Sequence, residues 1–155
     1  DYVRSDQQEE REEVDLNEII EEAVQARNIE EDHHIDLALG RIPVIRLRRI
    51  AIKRVIDNLM ENAFRYGSND IQIASAFDEK SKHLSFSIRD FGPGIPEEQI
   101  EMLFQPFTQG DKARGSLGSG LGLAIIKRIV DIHYGKISLS NHPDGGLIAS
   151  VQLPL

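Results

Sequence analysis

Apolar residues recur along this chain at two spacings, and the switches between them mark out its elements. Leu16, Ile19, Ile20, Ala23 and Val24 stand three or four apart, which is the spacing of one helix face and predicts a helix to about Arg27. Asp15 precedes it as an N-cap, with Glu18 three residues on as in a capping box. A longer stripe, Ile52, Val55, Ile56, Leu59, Met60, Ala63 and Phe64, ends near Gly67 and predicts a second helix. Leu121, Ala124, Ile125, Arg128, Ile129 and Ile132 predict a third. Elsewhere the period falls to two. Ile71 to Phe77 and Leu84 to Arg89 alternate apolar with polar residues, and Asp78 to His83 reads as their hairpin turn. Lys136 to Ser140 and Leu147 to Leu153 form two last strands around His142-Pro-Asp-Gly-Gly146. Shorter runs, Asp36 to Leu39 and Val44 to Leu47, read as strands around a turn at Gly40 to Pro43. A short helix is predicted near Glu97 to Phe104, before a polar, glycine-rich loop from Thr108 to Ser119 of a length often tied to function. Three long helices and four or more strands predict an α/β sandwich with helices on one face.

Composition narrows the class. At 155 residues with 40% apolar content, the chain is one globular domain with a real core and is not a disordered tract. It has no cysteine, which excludes a disulfide framework, a thiolate zinc site and a cysteine nucleophile. The formal charge of −8 argues against non-specific binding to nucleic acid or an anionic membrane, and at first sight against any anionic ligand. No apolar run approaches the ~18 to 20 residues of a membrane span. Charge is uneven, however. Asp1 to Glu13 holds six acids and reads as a solvated arm or a frayed helix end, whereas Arg41 to Arg54 holds six basic residues and no acid.

Four local patterns carry candidate chemistry. Asn58, Asn62 and Arg65 fall within about 60° of one another on a helix surface, so two carboxamides and a guanidinium line up beside the apolar stripe. Amide oxygens are hard neutral donors that suit Mg²⁺ shared with a phosphate. Asp90-Phe-Gly-Pro-Gly94-Ile follows directly on a strand, where an ionised carboxylate can accept a hydrogen bond from an exocyclic amine such as that of adenine. Gly118-Ser-Gly120-Leu-Gly122-Leu opens a helix and can bring backbone N–H groups onto a phosphate. It has neither P-loop nor Rossmann spacing. Phe104-Gln-Pro-Phe107 could anchor a loop. Taken singly, these also fit a solvated helix face, a tight turn, a flexible linker and core packing.

Their order is more specific than any one of them. Asn58-x-x-x-Asn62-Ala, Asp90-x-Gly-x-Gly-Ile, Phe104-x-Pro-Phe107, Gly118-x-Gly-Leu-Gly-Leu and Gly145-Gly146 resemble the N, first glycine, F, second glycine and third glycine boxes of sensor histidine kinases. Asn62-Ala-Phe-Arg-Tyr-Gly67 and Arg128-Ile-Val-Asp-Ile-His133 look closest to the EnvZ-type osmosensor subgroup. The resemblance implies a Bergerat-type ATP-binding fold over residues 15–155: α+β, a two-layer sandwich whose mixed sheet is covered on one face by three long helices. Residues 1–14 would be a linker or the tail of a dimerisation helix. The implied ligands are ATP and Mg²⁺. Asn62 would be the Mg²⁺ ligand, Asn58 would line the phosphate region, Arg65 would meet a phosphate and Tyr66 would pack near adenine. Asp90 would bind the adenine amino group, with Gly92, Gly94 and Ile95 at that wall. Gln105 to Leu117, including Phe107, would be the ATP lid. Gly118, Gly120 and Gly122 would cradle the phosphates, with Ser119, Leu121 and Leu123 in the same motif. Gln109 departs from the pattern, because many relatives place Arg there, so Lys112 or Arg114 would reach the γ-phosphate. Asn58, Arg65 and Arg114 are thus the implied catalytic residues.

Two features separate subclasses. Relatives that hydrolyse ATP, such as gyrase and MutL, carry Glu where this chain has Asn58, and a carboxamide cannot act as a general base on water. Glu61 lies about 60° around the helix from Asn58 and reads as a surface acid. None of His33, His34, His83, His133 and His142 heads the Glu/Asp-Leu-Arg-Thr-Pro-like run of the family's phosphoacceptor. All five read as solvated or capping histidines. The resemblance therefore implies transfer to a histidine on a dimerisation domain elsewhere in a homodimeric protein, a cognate OmpR-like response regulator, and no nucleic-acid partner. It implies the soluble cytoplasmic part of an inner-membrane sensor. A non-catalytic nucleotide-sensing module and an anti-sigma-type serine kinase are the competing readings.

Overall fold

The computed structural model describes residues 9–27, 33–104 and 120–155. In chain order these form β1 (Glu12–Val14), α1 (Leu16–Arg27), β2 (His34–Leu39), β3 (Ile45–Leu47), α2 (Arg49–Tyr66), β4 (Asp70–Asp78) and β5 (His83–Asp90). There follow α3 (Glu97–Ile100), a 3₁₀ turn (Glu101–Phe104), α4 (Gly120–Ile132), β6 (Lys136–Asn141) and β7 (Leu147–Pro154). The main sheet has the order β2-β4-β5-β7-β6. Its β2–β4 pair is parallel and the other three pairs are antiparallel, which makes it mixed. A parallel pair needs a long crossover, and α2 lies within that connection. The α+β sandwich with three long helices is as the sequence predicts, with a further short helix at α3.

Strand alternation decides which face is covered. Leu84, Phe86, Ile88 and Asp90 of β5 are buried, whereas Ser85, Ser87 and Arg89 between them are half-buried. Ile71 and Ile73 of β4 and Ala149, Val151 and Leu153 of β7 join the same core, which the buried stripes of α1, α2 and α4 complete. Asp90 thus occupies the fourth core-facing position of a central strand. At the other end of β4, buried Ser75 donates to Asn17 Oδ1 at 2.7 Å, and Asn17 Nδ2 donates to the Gly40 carbonyl at 2.9 Å. That network ties the end of β2 to the first turn of α1. Asp15 caps α1 as predicted, its Oδ1 accepting the Asn17 N–H at 2.9 Å.

Three expectations are corrected. Residues 36–39 and 44–47 do not pair across Gly40–Pro43. β2 joins the main sheet, while β3 pairs antiparallel with β1 in a separate two-stranded sheet. Residues 12–14 are accordingly a strand, neither a solvated arm nor a frayed helix end, with Val14 buried and Glu12 and Glu13 outward. His133 is neither solvated nor a surface cap: it is 4% exposed at the end of α4. Its Nδ1–H donates to the Ile129 carbonyl at 2.8 Å, and its Nε2 accepts the Arg48 N–H at 3.1 Å.

The same junction caps α2. Arg48 offers no side-chain cap and the first turn of α2 has no acid. Instead, the Glu9 carboxylate accepts the N–H groups of Ile50 at 2.7 Å and Ala51 at 3.0 Å. A carboxylate at a helix N-terminus satisfies orphan donors and complements the dipole. Arg48 in turn donates to the Glu9 carbonyl, and Arg11 and Arg48 both reach the Ile132 carbonyl at the end of α4.

Two measurements test this junction. Glu9→Ala should lower the unfolding free energy by about 1 kcal/mol in urea titration; an unchanged midpoint would mean the cap is idle. Burial holds the His133 imidazole below its ordinary value, partly offset by the Ile129 hydrogen bond and reinforced by Arg48 and Arg11. Below about pH 6.5 the unfolded chain therefore binds the proton more readily, and stability falls as the pH drops through that window. His133→Gln should flatten this part of the stability–pH curve, and an identical slope would exclude His133 as its source.

Candidate functional site

The site grows from the C-terminal end of α2. Its apolar stripe, from Ile52 to Ala63, is buried, which leaves Asn58 and Asn62 half-buried and Arg65 exposed on the neighbouring face. Of the acids nearest to Asn58, Glu61 is turned toward α1. Glu61 pairs with Arg27 at 2.7 Å and is a surface acid, as expected. Asp57, missed in the sequence, is half-buried; burial raises its pKa against the opposing pull of Lys53 and Arg27. No signal in the helical spacing distinguishes it from a solvated acid.

The end of α2 is built onto Asp90. The N–H groups of Gly67 and Ser68 both return to the Ala63 carbonyl, at 3.0 and 3.1 Å. A Cβ on Gly67 would fall on the Asp90 side chain, and one on Gly92 would lie 2.5–2.7 Å from the Gly67 backbone. Backbone thus stacks on backbone where three segments meet, and only glycine permits that approach. Ser68 Oγ fastens the joint, donating to the Asp70 carbonyl at 2.7 Å and accepting the Phe91 N–H at 3.2 Å.

Asp90 is 6% exposed. Its Oδ1 accepts two backbone N–H groups, from Gly92 at 2.9 Å and Leu147 at 3.2 Å. The β5–β7 ladder stops at Arg89–Ile148, so the next N–H, that of Leu147, turns to this side chain instead. No described residue donates to Oδ2, which leaves that oxygen as an acceptor for a ligand. Gly146 closes the opposite side with φ +91°, and a Cβ there would run into the Asp90 carbonyl. Arg89 donates to the Gly145 carbonyl at 3.1 Å and lies 4.2 Å from the Phe91 ring centroid.

The structure therefore brings Asp90, Gly92 and Gly146 together at the end of α2, the helix that carries Asn58, Asn62 and Arg65. Ile95 is held by backbone contacts to β6, and Leu123 is 8% exposed in the core, in phase with Ile126 and Ile129. Phe107, Lys112, Arg114, Gly118, Ser119 and the rest of the Gln105 to Leu117 segment, with Gln109, lie outside the described residues, as do the side chains of Tyr66 and Leu121 and position Gly122 beyond its helical backbone. Gly120 opens α4. Sequence reasoning missed the roles of Gly67, Ser68, Arg89 and Asn141. Gly67 reads only as a helix stop, and the other three carry no spacing signal.

Residues 48–155 match the family described as Histidine kinase-, DNA gyrase B-, and HSP90-like ATPase. The signal transduction histidine-protein kinase BaeS of Escherichia coli (strain K12) is 39% identical over 111 residues, which is 69% of this chain and 23% of that protein. The solved histidine kinase domain of the E. coli osmosensor EnvZ is 38% identical, with 94% of this chain and 89% of that one covered and a TM-score of 0.70. The nucleotide-free catalytic domain of histidine kinase ThkA is 32% identical, with 94% and 95% covered and a TM-score of 0.76. The chain spans 16% to 23% of the length of three curated relatives it matches.

Gly145 and Gly146 provide an internal comparison of strain with close approach. Both have positive φ, but a Cβ on Gly145 meets nothing within 4 Å. Gly145→Ala should lose about 1 kcal/mol of stability and Gly146→Ala about 2–3 kcal/mol. Equal losses in urea unfolding would show that contact with Asp90 adds nothing.

Proposed function

The chain belongs to the histidine kinase-, DNA gyrase B- and HSP90-like ATPase family, whose members bind ATP, and on that premise we propose that it presents Mg²⁺-ATP to a histidine on a separate dimerisation domain of the same protein. The observation that carries this reading is Asp90: a buried carboxylate with one oxygen committed to backbone and the other available to an adenine amino group. Such an acceptor selects a base that offers a donor. On α2, which abuts Asp90, the Asn58 and Asn62 carboxamides are neutral oxygen donors, while Glu61 is paired with Arg27. That donor set fits a cation that arrives on a triphosphate.

Bound Mg²⁺ supplies charge neutralisation at the phosphates. Asn62 holds it, Asn58 lines the phosphate region, and Arg65, with Lys112 or Arg114, offers charge to the γ-phosphoryl oxygens. The glycines at 118, 120 and 122 offer N–H donors. The acceptor imidazole, with its own acid or base, attacks in line. An N–P bond forms, the γ-phosphorus to bridging-oxygen bond breaks, and ADP leaves with the electron pair. Asn58 cannot activate water, so transfer outruns hydrolysis. The full-length protein is read as a homodimer that passes the phosphoryl group to an OmpR-like regulator, with this part on the cytoplasmic side of an inner membrane. Among the described residues no helix is long and apolar enough to cross a membrane.

Asp90→Asn retains an oxygen for the two backbone N–H groups but replaces the other acceptor with a donor. ATP affinity should fall about 10- to 100-fold, the equivalent of a charged hydrogen bond, with unfolding little changed. Calorimetric titration showing undiminished affinity would remove Asp90 from the base site. For the transfer step, the chain is mixed with the dimerisation hairpin of its own full-length protein and γ-labelled ATP. Acid-labile label on the hairpin is the expected result. Label on serine would support the anti-sigma-type reading, and tight binding without any transfer would support a sensing module. Asn62→Ala, assayed for binding and transfer separately, should reduce both.

A further inference from the structure

We propose that Asn141 is a positioning residue for the nucleotide base, holding the far end of the loop that leaves Asp90. Asn141 is the last residue of β6, the edge strand of the main sheet. Its carboxamide spends both ends on one backbone unit: Oδ1 accepts the Ile95 N–H at 3.0 Å and Nδ2 donates to the Ile95 carbonyl at 2.8 Å. A side-chain amide that donates and accepts against one residue imitates a paired strand residue, so the loop is docked onto the sheet edge as if it were a sixth strand one residue long.

The loop is shaped to receive it. Gly94 has φ +79°, and a Cβ there would fall on Asn141 Oδ1. This glycine therefore admits the Asn141 carboxamide as well as the turn. The other end of the loop is pinned where the Phe91 N–H meets Ser68 Oγ. Between the two pins lies Gly92, which packs on Gly67 and donates to Asp90. The β6–β7 connection that begins after Asn141 also leads back to Asp90, through the N–H of Leu147, the first residue of β7. One connection thus sets both the base acceptor and the wall beside it. Without the Asn141 pin, the wall would have to be ordered by the ligand, which weakens binding without removing any ligand contact.

This inference rests on Asp90 as the base acceptor, and the experiment separates the two. ATP affinity is measured by calorimetry or NMR titration for the wild-type chain, Asn141→Ala, Asp90→Asn and the double variant. Asn141 is exposed at a sheet edge, so its variant should fold; circular dichroism checks this, and Asn141→Ser, which keeps one hydroxyl, is a milder second variant. Asn141→Ala should bind about tenfold more weakly, with faster hydrogen exchange at the Ile95 amide. In the Asp90→Asn background the same substitution should weaken binding less than about threefold, because there is little base recognition left to position. An equal loss in both backgrounds would show a merely structural role and overturn the inference. So would unchanged affinity in Asn141→Ala and Asn141→Ser. A wild-type chain that does not bind ATP would instead defeat the functional reading itself.

Discussion

The structure depends on one placement: a carboxylate at the fourth inward position of the central strand. Leu84, Phe86 and Ile88 fix the phase of β5, and the next inward residue is Asp90. Burying a charge is unfavourable unless it is paired or hydrogen-bonded. The fold meets that requirement with backbone N–H groups from Gly92 and Leu147. Those donors must come close, and the glycines at 67, 92 and 146 exist where closeness would otherwise mean collision. The end of α2, the loop after β5 and the start of β7 are therefore located by a single side chain.

α2 links this site to the N-terminal end of the chain. One end of the helix abuts Asp90 at Gly67, and the other is capped by Glu9, which is remote in sequence. Glu9 is in turn held by Arg48, whose N–H reaches His133 at the end of α4. A displacement of the segment before β1 would uncap the helix that carries Asn58 and Asn62. The small sheet of β1 and β3 thus flanks the cap of α2, at the end of the helix opposite Gly67.

What was legible in the sequence follows the range of the forces involved. The three long helices and the two strand pairs were visible because many residues repeat one period, and Asp90 was visible because strand phase and the glycines after it agree. β1 was not: Glu12 and Glu13 look like a solvated charge run, and one buried valine is too short a pattern to show a strand. His133 reads as a helix-end histidine because its donor and acceptor partners, Arg48 and Ile129, are set by tertiary packing and by helix geometry. Gly67 is legible as a stop but not as the floor under Asp90. Asn141 has no pattern at all, since its meaning lies in a loop 46 residues away.

The charge distribution makes the same point about function. A chain of net charge −8 is a poor general receptor for anions, and the basic run from Arg41 to Arg54 offers an obvious remedy. The structure uses much of that run elsewhere. Arg48 holds Glu9 and the Ile132 carbonyl, Arg46 reaches the Arg11 carbonyl, and Arg49 pairs with Glu22. These contacts sit at the N-terminal half of α2, away from Gly67 and Asp90. Recognition at the site end therefore cannot rest on bulk positive charge. In the function proposed above it would rest on Asp90 as an acceptor for the base, neutral carboxamides for a cation that the nucleotide brings, and a few local donors. On that reading the site would select a nucleotide by its base amino group, which a carboxylate can bind.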